Sequence, residues 1–382
     1  MKNDFEPSVV FFTNIATPYR TEFYNDLYAE EFNFEVWYMR DSVKYRPWVL
    51  SKMPIKHPYY VNNGIYFQIK NFPLFFNPGL LFKALYKQKT DLILGLSWND
   101  PDVLILIILK RMGFLHSRIH FWSEANHLTI GSRRDNFFKK ILRKFVYNAV
   151  DGVQLRSGKM TEITMNVWGI NPQKYVDLPN TIQELKINFD NKFLDEKDQT
   201  NTVNILMVAR LTENLKGIIN FFKALSNKDI SDCQFYIAGD GNDKQLIQDY
   251  IDSRGSGAQI HLIGQQSPNE LLSLYSQVDI FCLPSFSDPS PLSVIEALYA
   301  GLPLLISNRC GNHYEAVKHS ENGYIFDPDN KIPIQKNFRR LVNERDRWSQ
   351  MSISSKQIYD NTFSKKMVIN NFISGFVNAT KQ

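Results

Sequence analysis

The sequence predicts an α/β protein of two domains, each built on a parallel sheet. Three observations lead there. The chain has 382 residues, more than one ordinary core accommodates, and its 43% apolar and 22% charged content is that of a globular protein. Short apolar runs alternate with helical patterns along the chain, the rhythm of β-α-β units. A polar stretch with no clear period, LKINFDNKFLDEKDQTN (Leu185–Asn201), ends in a charge run and separates two such series. The expected division is therefore a first domain over 1–185, a linker over 186–201 and a second domain over 202–362.

In the first series the predicted strands are Ser8–Asn14, Phe32–Met39, Thr90–Ser97, Ser117–Glu124, Asp151–Ser157 and Lys174–Asn180. Ligands of a parallel sheet sit beyond the carboxyl ends of its strands. That rule singles out Asn14 to Arg20 (with Tyr19), Gly95 to Asn99 (with Trp98), Glu124 to His127, and Ser157. His127 follows FWSEAN just past a strand end; it reads either as a site residue or as an exposed loop histidine, with Glu124 as its rival. His120 lies mid-strand and reads as core.

The second series opens with VNILMV (Val203–Val208), apolar except for Asn204, the mark of a strand buried on both faces. Arg210 leaves its end and Lys216 opens a helix with the apolar positions Ile218, Phe221, Phe222 and Leu225. Two cations at a strand-to-helix turn suit a diphosphate, and equally an ordinary solvated turn. Two further apolar strands close in glycine, Gly239 and Gly241, then Gly264 followed by Gln265; glycine there lets backbone approach a ligand. IFCL (Ile280–Leu283) is the next strand. A loop holding Asp288, Pro289 and Pro291 follows, then a helix with Leu292, Ser293, Ile295, Glu296 and Leu298. Its N-terminus offers free N–H groups and a positive dipole end to an anion. SNRCGNHYEAV, with Gly311 and Glu315, comes next.

The order of these motifs over about 201–328 resembles glycosyltransferase family 4, the retaining "group 1" enzymes of the GT-B fold, whose E-x7-E signature is similar to Asp288 and Glu296. One departure is that the first acid is Asp; another is Asn312 where a second glycine is usual. The resemblance implies two Rossmann-like domains with parallel sheets facing a central cleft, and a last helix, about 363–382, that crosses back onto the first domain. It implies a donor site in which Arg210 and Lys216 hold the diphosphate, Glu296 the ribose and Asp288 the sugar. Gly239, Gly264, Gln265 and Gly311 line that site, and the N–H groups of Leu292 and Ser293 add anion contacts. His127 and Glu124 join Asp288 at the reacting centre, and Asn14, Tyr19, Arg20 and Trp98 lie on the acceptor side. The implied reaction moves a hexose or N-acetylhexosamine from a UDP- or GDP-linked sugar to a glycan or lipid-linked glycan, with retention, with no metal and no other cofactor. The implied setting is bacterial surface-polysaccharide assembly (capsule, lipopolysaccharide O-antigen or exopolysaccharide) in the cytoplasm, at the inner face of the membrane.

Two other classes stay open. Asp100-Pro101-Asp102 follows a strand and could serve a metal-dependent GT-A type transferase; Asp288 in place of Glu keeps open a non-catalytic binding homologue. Cys233, Cys282 and Cys310 have no metal or redox spacing, which fits a reducing compartment. The N-terminus does not read as a signal peptide, and VLILIIL (Val103–Leu109) is too short to span a bilayer. Residues 1–185 carry 23 Lys and Arg against 17 Asp and Glu. The excess concentrates in Arg133, Arg134, Lys139, Lys140, Arg143 and Lys144, interleaved with Phe137, Phe138, Ile141, Leu142 and Phe145. Such a helix can lie on anionic lipid, or can cover its own sheet with the apolar face inward. Asn71–Leu85, aromatic residues beside prolines, could form a second apolar lip. A net charge of +5 and the lack of any binding motif argue against nucleic acid.

Overall fold

A computed structural model describes residues 7–43, 49–69, 72–87, 90–129, 136–149, 153–170, 174–184 and 202–380. The segment read as the linker lies outside them. The first half forms β1 (Val9–Thr13), β2 (Phe34–Tyr38), β3 (Tyr59–Val61), β4 (Ile65–Ile69), β5 (Phe72–Phe76), β6 (Asp91–Leu94), β7 (Ile119–Ser123), β8 (Val153–Arg156) and β9 (Lys174–Asp177). Seven of these make one parallel sheet in the order β3-β2-β1-β6-β7-β8-β9. β4 and β5 form a separate antiparallel hairpin, which the alternation rule does not anticipate. In the stretch read as a second apolar lip, Asn71 lies outside the described residues, and strand β5 and the helix Pro78–Tyr86 follow it.

The second half forms β10 (Val203–Val208), β11 (Cys233–Ala238), β12 (Ile260–Gly264), β13 (Ile280–Leu283), β14 (Leu304–Ser307) and β15 (Gly323–Phe326). They make a second parallel sheet, β12-β11-β10-β13-β14-β15. Continuous apolar strands bury every residue: all five of β1 and all four of β13. Helices cover both faces of each sheet, which gives each domain two core layers. Strand order reverses at β1/β6 in one sheet and at β10/β13 in the other. These switch points are where a crevice opens beyond the carboxyl ends, and they place the Asn14–Arg20 turn opposite the Lys216 and Asp288 loops.

The last helix, Lys365–Thr380, belongs by contact to the first domain. Val368, Ile369, Phe372 and Phe376 enter the layer that holds Val9, Phe11, Phe23 and Trp122. The Phe372 ring lies 5.8 Å from Phe11 and 5.9 Å from Phe23. Lys365 Nζ is 3.1 Å from Glu22 and 3.5 Å from Asp26 on the first helix, Pro18–Ala29. This crossing ties the two halves together independently of the linker.

Phe372 is fully buried, so Phe372→Ala should cost about 3–5 kcal/mol. Amide exchange at Val10 and Phe11 should rise sharply, whereas Lys366→Ala, at an exposed position of the same helix, should leave it unchanged. Equal protection of β1 in both variants would show that the first domain stands without the helix.

Candidate active site

A cavity of about 490 Å³ lies between the domains at the two switch points. Each domain brings one ion pair to it. From the first, Arg20 Nη2 is 3.5 Å from Glu124 Oε1, and its guanidinium sits 4.2 Å from the ring centre of Trp122. Asn180 Nδ2 donates to the same carboxylate oxygen at 3.1 Å. From the second, Lys216 pairs with Asp288. Four buried polar atoms along this wall, Thr17 Oγ1, Arg20 Nε, Asn180 Oδ1 and Ser290 Oγ, have no hydrogen-bond partner among the described residues. Native interiors leave few such atoms, and four converging on one cavity mark a place built for a polar ligand.

Local sequence explains how the second-domain wall holds its shape. Lys216 ends a one-turn helix, Glu213–Lys216, and Gly217 turns the chain at φ +63°. The N–H groups of Phe286 and Ser287 donate to Leu215 O at 2.8 and 3.0 Å, which holds the Lys216 turn against the Asp288 loop. On the other side Gly311 N donates to Asp288 O at 2.8 Å, and a Cβ on Gly311 would overlap the carbonyl oxygen of Pro289. The helix Leu292–Tyr299 starts at Pro291 with no side-chain cap. Its first amides, at Leu292 and Ser293, therefore stay available to an anion, and both residues line the cavity.

Of the other residues that the resemblance assigns to the donor, Glu296 lines a neighbouring cavity, and Arg210, Gly239, Gly264 and Gln265 line neither that cavity nor the central one. Glu296, one turn into the helix, faces an adjoining, mostly apolar cavity of about 550 Å³ that shares Tyr19 and Leu292 with the first. Burial pushes the Glu296 carboxyl above the usual range; Tyr275, whose hydroxyl donates to Oε2 at 2.8 Å, partly opposes that shift. Oε1 keeps no partner among the described residues. Arg210 is exposed at the rim, without an ion pair among the described residues. Gly239 and Gly264 end their strands side by side, Gly239 N donating to Gly264 O at 2.8 Å; a Cβ on Gly239 would overlap the carbonyl of Ala209, a residue that lines the cavity. Gln265 is exposed beyond them.

On the first-domain side, Asn14, Tyr19, Arg20 and Glu124 line the central cavity. Glu124 also lines a third one, about 440 Å³, with Trp98, Trp122, Tyr147 and Trp168. His127 lies outside the lining of all three. Its backbone N–H and its ring Nδ1 both lie 3.0 Å from Thr164 Oγ1, so Thr164 rather than Glu124 orients the ring. Burial and the nearby Arg309 hold its pKa below the ordinary value. Its neighbour Asn126 crosses the cleft instead, donating through Nδ2 to Arg309 O at 3.1 Å. Thr17 and Asn126 fall inside the segments that the carboxyl-end rule singles out, though not by name; Asn180, which closes a predicted strand, and Ser290 are site residues that sequence reading passes over.

Two expectations change. Asp100 and Asp102 are engaged by backbone and cannot cradle a metal as they stand: Asp102 is fully buried and accepts Asn77 N–H at 3.0 and 2.9 Å, and Asp100 accepts Ser97 N–H at 2.9 Å. Burial pushes each carboxyl up to about 6. In the basic helix, Arg133 and Arg134 lie outside the described residues, and the helix runs Phe137–Tyr147. Its buried face is Arg143, Val146 and Tyr147, with the Arg143 guanidinium 3.6 Å from the Trp168 ring centre. Its phenylalanines point out: Phe137 is 71%, Phe138 79% and Phe145 41% exposed. The apolar side is thus not the one that covers the sheet, and Arg143 is not one of the outward cations.

Comparison with known proteins agrees with this architecture. Residues 188–358 match the family described as glycosyl transferases group 1. An uncharacterised glycosyltransferase of Methanocaldococcus jannaschii is 29% identical over 177 residues, 46% of this chain and 44% of that one. The Campylobacter jejuni GalNAc-α-(1→4)-GalNAc-α-(1→3)-diNAcBac-PP-undecaprenol α-1,4-N-acetyl-D-galactosaminyltransferase is 26% identical over 175 residues, 45% and 46% of the two chains. The Escherichia coli UDP-Gal:α-D-GlcNAc-diphosphoundecaprenol α-1,3-galactosyltransferase is 29% identical over 180 residues, 44% of each. The chain thus spans less than half the length of these relatives. Whole-chain likeness appears in structure. The lipopolysaccharide outer core galactosyltransferase WaaB superposes with a TM-score of 0.70 at 16% identity, covering 97% of this chain and 99% of that one. HepE of Anabaena in complex with UDP gives 0.71 at 13%, covering 97% and 100%. The fold is GT-B, and residues 188–358, a little under half of the chain, are similar to the group 1 glycosyl transferases.

Proposed function

We propose that this protein is a retaining glycosyltransferase that moves a sugar from a UDP- or GDP-linked donor to a hydroxyl of a glycan or lipid-linked glycan in bacterial surface-polysaccharide assembly. The observation that carries the reading is the central cavity, where the Lys216–Asp288 pair and the uncapped amides of Leu292 and Ser293 face the Arg20–Glu124 pair. An arriving diphosphate competes with Asp288 for Lys216. Lys216 then turns to the phosphates, joined by Arg210 from the rim and the two amides, and Asp288 is released to accept hydrogen bonds from the sugar hydroxyls. The nucleoside extends into the apolar cavity, where Glu296 Oε1 accepts from the ribose; the base lies toward Gly264 and Gln265.

In the reaction, the bond from the anomeric carbon to the diphosphate oxygen breaks as the acceptor oxygen bonds to that carbon on the same face. The acceptor proton passes to the leaving diphosphate. The chain supplies position and charge: Lys216, Arg210 and the helix amides hold the growing charge on the leaving group, and Glu124 orients the acceptor hydroxyl through Oε2. No metal enters this scheme. Two relatives are named for transfer to undecaprenol-linked sugars, which supports a lipid-borne acceptor. The outward phenylalanines of the Phe137–Tyr147 helix support contact with the inner face of the cytoplasmic membrane, Lys139, Lys140 and Lys144 meeting anionic headgroups. Among the described residues, no helix is long and apolar enough to cross a membrane.

The direct test is calorimetry with UDP and GDP, followed by turnover with a panel of their sugars. Binding without transfer or hydrolysis of any of them would make the protein a binding homologue instead. Lys216→Ala and Arg210→Ala should each lose about 2–4 kcal/mol of transition-state stabilisation, with Lys216, nearer the centre, the larger. Glu296→Gln should weaken nucleotide binding, and Asp288→Asn should lower turnover more than affinity; the opposite pattern reverses their roles.

Tyr275 supplies a pH test. Its hydroxyl stabilises the Glu296 carboxylate against a pKa that burial raises. Ribose binding needs the carboxylate and weakens as pH falls through that raised pKa. Tyr275→Phe removes the opposing hydrogen bond, so the acid limb of nucleotide affinity should move to higher pH. An unmoved limb would separate Glu296 from the nucleotide.

For the membrane, Lys139, Lys140 and Lys144→Gln should weaken binding to anionic vesicles by roughly 1 kcal/mol per charge at low salt, while donor hydrolysis stays constant. Phe137 and Phe138→Ser should weaken it at low and high salt alike. Vesicle binding unchanged in both variants would make the helix a bystander.

A further inference from the structure

The third cavity has a lining unlike that of the other two, and it says what kind of molecule the acceptor is. Its walls carry three indoles and a phenol, from Trp98, Trp122, Trp168 and Tyr147, with Glu124 at the point where it opens into the central cavity. Trp98 and Trp168 are half-buried, so part of each ring remains available. The Arg143 guanidinium lies 3.6 Å from the Trp168 ring centre and 5.8 Å from the Trp98 ring centre, and so fixes both indoles at the cavity wall. Trp122 is 5% exposed, and its indole N–H has no acceptor among the described residues. A buried donor beside flat apolar faces and a carboxylate is a lining for a ring with C–H groups on its faces and hydroxyls on its edge.

We infer that this cavity is a subsite for a pyranose ring of the acceptor, stacked on Trp98 and Trp168, with a ring hydroxyl accepting from Trp122 Nε1 and a hydroxyl beside the reacting one donating to Glu124 Oε2. The inference rests on the proposed transferase reading for the direction of attack, and it gives the sugar of that acceptor a defined pocket, one that a glycerol or a hydroxyl amino acid would not fill. The helix that bears the outward phenylalanines also supplies Tyr147 to this lining and Arg143 behind it. The sugar subsite and the lipid-facing surface are therefore two sides of one element, as a lipid-linked sugar requires.

The test needs no donor. Saturation-transfer NMR would be run with octyl β-D-glucoside, octyl α-D-N-acetylglucosaminide and octyl α-D-N-acetylgalactosaminide, with 1-O-octylglycerol and N-acetylserine amide as non-sugar probes. We expect saturation of the ring protons of at least one glycoside, and about tenfold or greater loss of its affinity in Trp98→Ala and Trp168→Ala. Trp168→Phe, which keeps an aromatic face, should retain most of it. UDP affinity by calorimetry should be the same in all variants, which also reports that they are folded. Ring signals from no glycoside, equal affinity in the alanine variants, or displacement of the glycoside by octylglycerol would overturn the inference. A chain that binds a glycoside here but neither UDP nor GDP would sink the donor reading and leave this subsite standing; nucleotide binding with no glycoside bound would do the reverse.

Discussion

The site depends on a seam between two domains that meet through hydrogen-bonded backbone. Asn126 Nδ2 donates to the carbonyl of Arg309, and the carboxylate of Glu315 accepts the N–H of Lys159, the first residue of the helix Lys159–Val167. That helix has no cap of its own. Its free amides are met by an acid from the other domain, as a local N-cap would do it. A Cβ on Gly158 would overlap the same carboxylate, so a small residue at that point lets the two backbones close. With the seam made, the carboxyl ends of two parallel sheets face one another and their loops share one cavity.

That arrangement keeps the cleft nearly neutral before any ligand arrives. Arg20 is held by Glu124 and by the indole of Trp122; Lys216 is held by Asp288. Neither cation is left to be desolvated alone, a condition that costs far more than a paired one. The pairs are also exchangeable. In the proposed reaction a diphosphate offers Lys216 a doubly charged partner, and the carboxylate it leaves is the proposed acceptor for sugar hydroxyls. The first-domain pair lacks such a competitor on the donor side, which suits Glu124 to the steadier task of orienting an acceptor hydroxyl at the mouth of the aromatic cavity.

The Phe137–Tyr147 helix shows how composition can mislead about orientation. Its sequence has basic and apolar residues in alternating blocks, and the usual economy of a globular protein turns the apolar side inward. Here the inward side is Arg143, Val146 and Tyr147, because Trp168 and Trp98 offer the guanidinium flat π-faces. Filling that position with a cation leaves the phenylalanines to the surface. The result is an exposed apolar stripe of Phe137, Phe138, Ile141, Leu142 and Phe145 flanked by lysines.

Much of the fold was legible in order along the chain. Continuous apolar strands such as Val203–Val208 and Ile280–Leu283 announce a parallel sheet by themselves, and carboxyl-end loops announce where ligands gather. Asp288, Glu296, Lys216 and the amides of Leu292 and Ser293 were accessible for that reason: strand, loop and helix start lie within one short stretch, and local geometry alone places them. The β4–β5 hairpin was not accessible, since antiparallel pairing inside a β-α series has no periodic signal of its own. Nor were Asn180 and Ser290, or the particular parts played by Thr17 and Asn126 within segments the strand ends had marked, because these come from partners brought by other elements. The orientation of His127 was likewise not readable: its loop position is local, but Thr164, from another helix, holds its ring. The sequence by itself determined which strands exist and which loops carry charge, because burial and backbone geometry are local. Only the tertiary structure decided which loops face each other and which face of the basic helix meets solvent, because those depend on contacts that local sequence does not encode.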